Sequence, residues 1–229
     1  MIIITGASRG VGRYLFDHYT SINQQVIGSY NQSKSPEVIN HPSFYKLDIS
    51  DYSAVDSFRT QIEKNCKEVT LINCAGISYN SYAHKSDPVK WKEVVEVNLL
   101  GTYHMIRSFL PFMREQNFGR IINFSSVVSQ KSTPGVSAYA ASKAALWGLT
   151  KSLCIENGSK NITINNINLG YVKIGMGVEK VPVHYQQIIK DQIPAGEFCD
   201  PHDIFSTIEY LRNTPYINGT SIDLNGGLF

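Results

Sequence analysis

Cysteine is scarce in this sequence, four among 229 residues, and no two of the four make a Cys-x2-Cys unit. Cys66, Cys74, Cys154 and Cys199 have no histidine near them at ligand spacing, so a disulfide framework and a zinc ribbon are both excluded and reduced, mostly buried thiols are expected. Histidine is no better organised. His18, His41, His84, His104, His184 and His202 form no His-x3-His pair, and no metal is assigned. An excess of one charge is missing too: 21 basic against 19 acidic residues gives a net +2, and the basic residues are scattered. That leaves no footprint for a nucleic acid. No apolar run approaches the roughly 18 residues that cross a bilayer. Met1 leads directly into Ile2-Ile3-Ile4, with no room for a leader peptide, and a cytoplasmic location without a membrane partner is expected. Repeats, low-complexity tracts and Pro/Gly-rich linkers are absent, so residues 1–229 are read as one globular domain.

What is present is an alternation. Short Val- and Ile-rich runs at residues 1–5, 25–29, 43–47, 69–73, 120–125, 163–168 and 221–224 are separated by stretches of helical period at 11–21, 53–65, 88–115, 138–158 and 201–212. This pattern predicts a Rossmann-type, doubly wound α/β domain: a parallel sheet of about seven strands with helices on both faces. Most of the runs are apolar on successive residues, as strands buried on both faces require. Residues 173–198 break the alternation with Gly175, Gly177, Pro182, Pro194 and Gly196, and read as a mobile insert over a substrate site.

The first strand runs through Thr5-Gly-Ala-Ser-Arg-Gly-Val-Gly12 into a helix. Gly6 suits the tight turn, and Gly10 and Gly12 let a pyrophosphate approach the backbone and the positive end of the helix. The spacing is Gly-x3-Gly-x-Gly. After the second strand, where an NAD enzyme carries a carboxylate for the ribose 2′-hydroxyl, the chain reads Gly28-Ser-Tyr-Asn-Gln-Ser-Lys34 and offers no acid. Arg9, with Ser29, Asn31, Ser33 and Lys34, can instead meet a 2′-phosphate, so NADP(H) is expected over NAD(H).

Tyr139 and Lys143 lie one helical turn apart in Ser137-Ala-Tyr-Ala-Ala-Ser-Lys, and Ser126 stands thirteen residues before the tyrosine. An ammonium on the same helix face favours the phenolate of a group whose ordinary pKa is about 10, and a serine hydroxyl facing both can hold a carbonyl oxygen. Ser125 is a rival for the serine's place.

Taken together these motifs resemble those of the short-chain dehydrogenase/reductase family over the whole chain, nearest to its β-ketoacyl-carrier-protein reductase type. The likeness rests further on Asp48-Ile49, Asn73-Cys-Ala-Gly76, Ile122-Asn-Phe-Ser-Ser-Val-Val128 and the ending Asp223-Leu-Asn-Gly-Gly227. The resemblance implies a catalytic set of Asn98, Ser126, Tyr139 and Lys143. It implies a cofactor wall of Gly6, Ser8, Arg9, Gly10, Val11, Gly12, Ser29, Asn31, Asp48, Ile49, Asn73, Ala75, Gly76, Tyr139, Lys143, Gly170 and Val172. Tyr139 is then the general acid, Lys143 lowers its pKa and holds the nicotinamide ribose, and Asn98 positions a water. Two departures stand out: Leu169 replaces the family's proline and Ile174 a threonine that contacts the nicotinamide carboxamide. An NADPH-dependent reductase of a 3-oxoacyl thioester or similar ketone, free or carrier-bound, is expected, as a homotetramer or else a homodimer. An NAD-dependent alcohol or sugar dehydrogenase and a non-catalytic nucleotide-binding regulator are the alternatives.

Overall fold

The computed structural model describes residues 1–179 and 181–228. Seven parallel strands form one sheet in the order β3-β2-β1-β4-β5-β6-β7. They are β1 (Ile2–Ile4), β2 (Val26–Tyr30), β3 (Phe44–Lys46), β4 (Thr70–Asn73), β5 (Gly119–Ser126), β6 (Ile162–Leu169) and β7 (Ser221–Leu224). The helices are α1 (Gly10–Ser21), α2 (Pro36–Ile39), α3 (Tyr52–Ile62), α4 (Pro88–Val95), α5 (Thr102–Gln116), α6 (Ser137–Asn157), α7 (Met176–Glu179), α8 (Val183–Gln192) and α9 (Pro201–Asn213). The order reverses between β1 and β4, the place where a doubly wound sheet opens a crevice at its carboxyl edge.

Every residue of β1, β2, β4 and β5 is buried, because each strand feeds two cores. Successive side chains alternate faces. Ile2 and Ile4 join Leu15, Phe16, Tyr19, Ile204 and Ile208 under α1 and α9, while Ile3 joins Val55, Phe58, Met105, Ile106 and Phe109 under α3 and α5. Asp51, Asp87 and Asp200 cap α3, α4 and α9 by accepting bonds from first-turn amides.

Three segments differ from the pattern the sequence predicts. The single helix expected at 88–115 is broken by a wide π turn, Glu96–Gly101. There Asn98 turns inward, its Oδ1 accepting from Ile77 N at 2.8 Å and its Nδ2 donating to Ile77 O at 2.9 Å, and Gly101 seats on Ile49. Such turns mark places where a helix makes room for a side chain. The insert at 173–198 carries α7 and α8 instead of irregular chain, with Gln186 Nε2 donating to Val178 O and Val181 O across the bend between them. Val178, Ile189 and Ile193 fix it to a third small core with Val127, Phe198 and Leu228. The helix expected to reach residue 65 ends at Ile62, where a single 3-10 turn takes over.

A Cβ added at Gly101 would lie 2.7 Å from Ile49 Cγ1 and 2.8 Å from its Cδ1, inside a closed core. Gly101→Ala should therefore lower stability by about 1 to 3 kcal/mol, the usual cost of overpacking, read from the urea midpoint at unchanged slope. A variant as stable as the parent would show that the π turn is not locked against Ile49.

Candidate active site

The cleft at the carboxyl edge of the sheet holds about 590 Å³ and is lined by the ends of β1, β2, β4, β5 and β6. That volume suits a dinucleotide and a small substrate side by side. Its floor at β1 is knotted to β4: Thr5 Oγ1 accepts from Cys74 N at 3.1 Å and from Ala75 N at 3.0 Å. The chain then turns through Gly6 at φ +67° and Gly10 at φ +55° into α1. A Cβ at Gly12 would sit 2.4 Å from Gly6 O, so this loop closes only with glycine there. α1 begins without a side-chain cap and without an acidic residue in its first turn. Its first amides thus face the cleft uncapped and suit an anion, which is the fit a pyrophosphate needs.

Of the cofactor wall expected from the sequence, Gly6, Ser8, Arg9, Gly10, Val11, Gly12, Ser29, Asn31, Asp48, Ile49, Ala75, Gly76, Gly170 and Val172 all line this one cleft. Asn73 does not. It is buried behind the wall, its Nδ2 donating to Asn123 Oδ1 at 2.8 Å, while its own Oδ1 has no partner. Asp48 accepts from Ser50 N, Ser50 Oγ and Asn31 Nδ2, which holds its carboxyl below the usual range and keeps Asn31 at the end of β2. Ser33 and Lys34 are not among the lining residues, so Arg9 supplies the positive charge at this end. Arg9 is exposed and has no carboxylate partner among the described residues.

Ser126, Tyr139 and Lys143 meet at the other end. Ser126 closes β5, and its hydroxyl lies near enough to the Tyr139 phenol to favour the ionised form of that phenol. The rival Ser125 is committed elsewhere, donating to Lys143 O at 3.0 Å. Lys143 is buried, its ammonium donating to Phe124 O at 2.6 Å and lying 5.6 Å from the centre of the Tyr139 ring. Asn98 stands behind this group, out of the cleft wall, with Nδ2 donating to Ser142 Oγ at 3.1 Å.

Burial dominates the titration of both groups in the cofactor-free chain. It pushes the Tyr139 phenol up to about 12, against the Ser126 contact, which pulls the other way. It drives the Lys143 ammonium down to about 8. The sequence pairing of tyrosine and lysine leads one to expect a lowered phenol; the phenol is raised because its burial outweighs the Ser126 contact, while the Lys143 ammonium donates to Phe124 O.

Sequence reasoning overlooked much of the far wall. Val136, Tyr171, Met176 and Val181 join Ile77 there, residues outside every motif the sequence offers, beside Val127 and Val128, which belong to one. Ile174 also lines it, an apolar side chain where a hydroxyl was expected. Cys74 also lines the cleft, beside Lys143, its thiol pushed up to about 12 by burial. Among the described residues no group of three His, Cys, Asp or Glu could hold a metal, and no helix is long and apolar enough to cross a membrane.

A buried ammonium costs the folded chain stability until it is deprotonated. Below about pH 8 folded and unfolded chains both carry the Lys143 proton and the full cost applies; between pH 8 and the ordinary 10.5 the folded chain has released it first, and stability rises. Lys143→Met should therefore be more stable than the parent at pH 7, by up to about 3 kcal/mol, with the advantage shrinking from pH 8 to 10.5. Urea titrations of both proteins across that range test this. A variant less stable than the parent by the same margin at every pH would refute it.

Comparison with known proteins agrees with this geometry. The profile of the family described as short chain dehydrogenase matches residues 1–182. An acetoacetyl-CoA reductase of Rhizobium meliloti is 34% identical over 236 residues, covering 99% of this chain and 97% of the relative. The 3-oxoacyl-[acyl-carrier-protein] reductase of Haemophilus influenzae is 30% identical over 235 residues, with 99% and 97% covered, and its Escherichia coli counterpart is 28% identical. A parallel seven-stranded sheet, a glycine turn at its switch point, a serine–tyrosine–lysine cluster beside it and full-length relatives of this kind agree: the chain belongs to the short-chain dehydrogenase/reductase family of oxidoreductases.

Proposed function

We propose that this protein is an NADPH-dependent reductase that turns the keto group of a 3-oxoacyl thioester, or a similar ketone, into an alcohol. The observation that carries the reading is the meeting of Ser126, Tyr139 and Lys143 on the wall of the cleft that also gathers the glycine turn and Arg9. A nicotinamide bound there supplies the hydride. The chain's own residues do the rest. Ser126 holds the carbonyl oxygen by its hydroxyl, and Tyr139 gives that oxygen a proton. A phenol pushed up to about 12 keeps its proton at neutral pH, as a donor must. Lys143, brought down to about 8, is close enough to neutrality to resupply it, and its ammonium can also hold the nicotinamide ribose. Asn98, on the π turn behind Lys143, is assigned the positioning of a water that would return protons to Lys143. Asn73 supports the wall from behind.

Arg9 and the absence of an acid at residues 29–34 support NADP(H) over NAD(H). The relatives' names supply the substrate class: acetoacetyl-CoA and 3-oxoacyl-carrier-protein are both 3-oxoacyl thioesters. We also place the protein in the cytoplasm, where its four free thiols stay reduced. It works there as a homotetramer. Leu100 and Tyr103 on the π turn and α5, with Ile155 on α6, are exposed apolar side chains that pairing would cover.

Two measurements test the reading. Consumption of NADPH and NADH is followed with β-ketoacyl thioesters, simple ketones and keto sugars; Tyr139→Phe should lose about 10²- to 10⁴-fold in kcat, the usual worth of a positioned acid. Turnover that survives in that variant, or a chain that binds neither cofactor, would sink the reductase. Arg9→Ala should cut kcat/KM for NADPH about 10- to 100-fold, the worth of a charge-assisted hydrogen bond, and leave NADH nearly untouched. An equal loss for both cofactors would move the 2′-phosphate contact elsewhere.

A further inference from the structure

The catalytic end of α6 is docked on the sheet by polar side chains rather than by an apolar face. Lys143 follows Tyr139 by one turn, and Trp147 follows Lys143 by another, so phenol, ammonium and indole lie on one stripe of the helix. Beneath the indole, Ser125, Asn168 and Asp223 stand side by side on β5, β6 and β7, one level before the paired Ser126 and Leu169. Asn168 is fully buried. Its Oδ1 accepts from Trp147 Nε1 at 3.1 Å and its Nδ2 donates to Asp223 Oδ1 at 2.7 Å. An indole only donates and a carboxylate only accepts, so the amide has a single orientation and no slack. The same indole N–H reaches Ser125 Oγ at 3.3 Å, and Ser125 in turn donates to Lys143 O at 3.0 Å. Gln130, in the turn that follows Ser126, donates to Asp223 Oδ2 at 3.3 Å.

This row therefore touches both halves of the site: the backbone of Lys143 on one side and the chain after Ser126 on the other. Apolar contact is non-directional and would let a helix settle over a range of positions, whereas hydrogen bonds are angular and fix one. One turn of α6 further on, the sheet again offers polar groups, Thr150 Oγ1 donating to Asn166 Oδ1 at 2.7 Å, but that contact lies two turns from Lys143 and touches no catalytic backbone.

We propose that Trp147 and Asn168 are positioning residues for the site: through Ser125 they fix how far α6 lies along the sheet, and so whether Lys143 and Tyr139 meet Ser126. The proposal rests on the reductase reading above. It predicts that Trp147→Phe, which keeps a ring and deletes one N–H, lowers kcat at least fivefold with KM for ketone and NADPH within twofold, since a misplacement near 1 Å can cost about 10²-fold. Asn168→Leu should fall as far, and the double variant no further, because both cut the same link. Thr150→Val, which deletes the deeper contact and costs similar stability, should keep kcat within twofold. A loss under fivefold in Trp147→Phe, or an equal loss in Thr150→Val, overturns the proposal. Crystal structures of the parent and Trp147→Phe give an answer independent of turnover. Lys143 Nζ leaving Phe124 O beyond hydrogen-bond reach supports positioning, and an unchanged 2.6 Å contact overturns it. A parent that reduces no ketone would sink the reductase reading alone and leave that structural arm standing.

Discussion

The pairing of β5 with β6 is the constraint from which the site follows. The two strands run in register for eight residues, Gly119 against Ile162 through Ser126 against Leu169, the longest ladder in the sheet. Parallel strands end at a common edge, so this ladder delivers Ser126 to the rim beside the chain that continues into Gly170 and the insert. A slip of one residue would turn every side chain to the opposite face and send the Asn123–Asn166 and Ser125–Asn168 levels into the α1 and α9 core. Buried asparagines at those levels forbid the slip more strongly than isoleucines would, since an unpaired buried amide costs about 1 to 3 kcal/mol.

Those asparagines divide the molecule into two kinds of packing. α1, α3, α5 and α9 are held by apolar side chains, whereas among the described residues α6 gives the second core one buried member, Leu153, with Leu149 and Cys154 partly buried against it. α6 lies instead on amides and hydroxyls: Asn123, Asn166 and Thr150 at one level, Ser125, Asn168 and Trp147 at the next. Hydrophobic burial contributes most of the stability of such a fold, but it tolerates adjustment. The one helix that carries the chemistry is attached by contacts that do not.

Much of this was legible in the sequence because parallel strands buried on both faces read as unbroken apolar runs, and all seven strands fall where those runs lie. The glycine turn was legible for a steric reason, visible in the 2.4 Å approach a side chain at Gly12 would make to Gly6 O. Less legible were features set by contacts distant in the chain. Nothing local around Asn98 says that its amide will clamp Ile77 and open the helix, and nothing around Val183 says that α8, which buries no residue of its own fully, will form. The raised phenol is not legible in the spacing of Tyr139 and Lys143, because its cause is burial, which only the fold sets. Trp147 and Asn168 lie on a helix and a strand 21 residues apart, and only the register of β5, β6 and β7 makes them one row.

The departures at Leu169 and Ile174 make sense in the same terms. Both side chains pack against the core beneath α1 and α9, at the root of the insert. A hydroxyl at 174 would supply one hydrogen bond to a bound amide, worth about 0.5 to 1.5 kcal/mol net, and burying an isoleucine there contributes about as much or more. One residue on, the backbones of Gly175 and Gly10 approach so closely that a Cβ on either would lie 3.1 Å from the other's Cα. The insert's root therefore rests on the pyrophosphate turn itself. Leu169 and Ile174 give that contact an apolar anchor, so the two loops are held against each other by the chain's own packing.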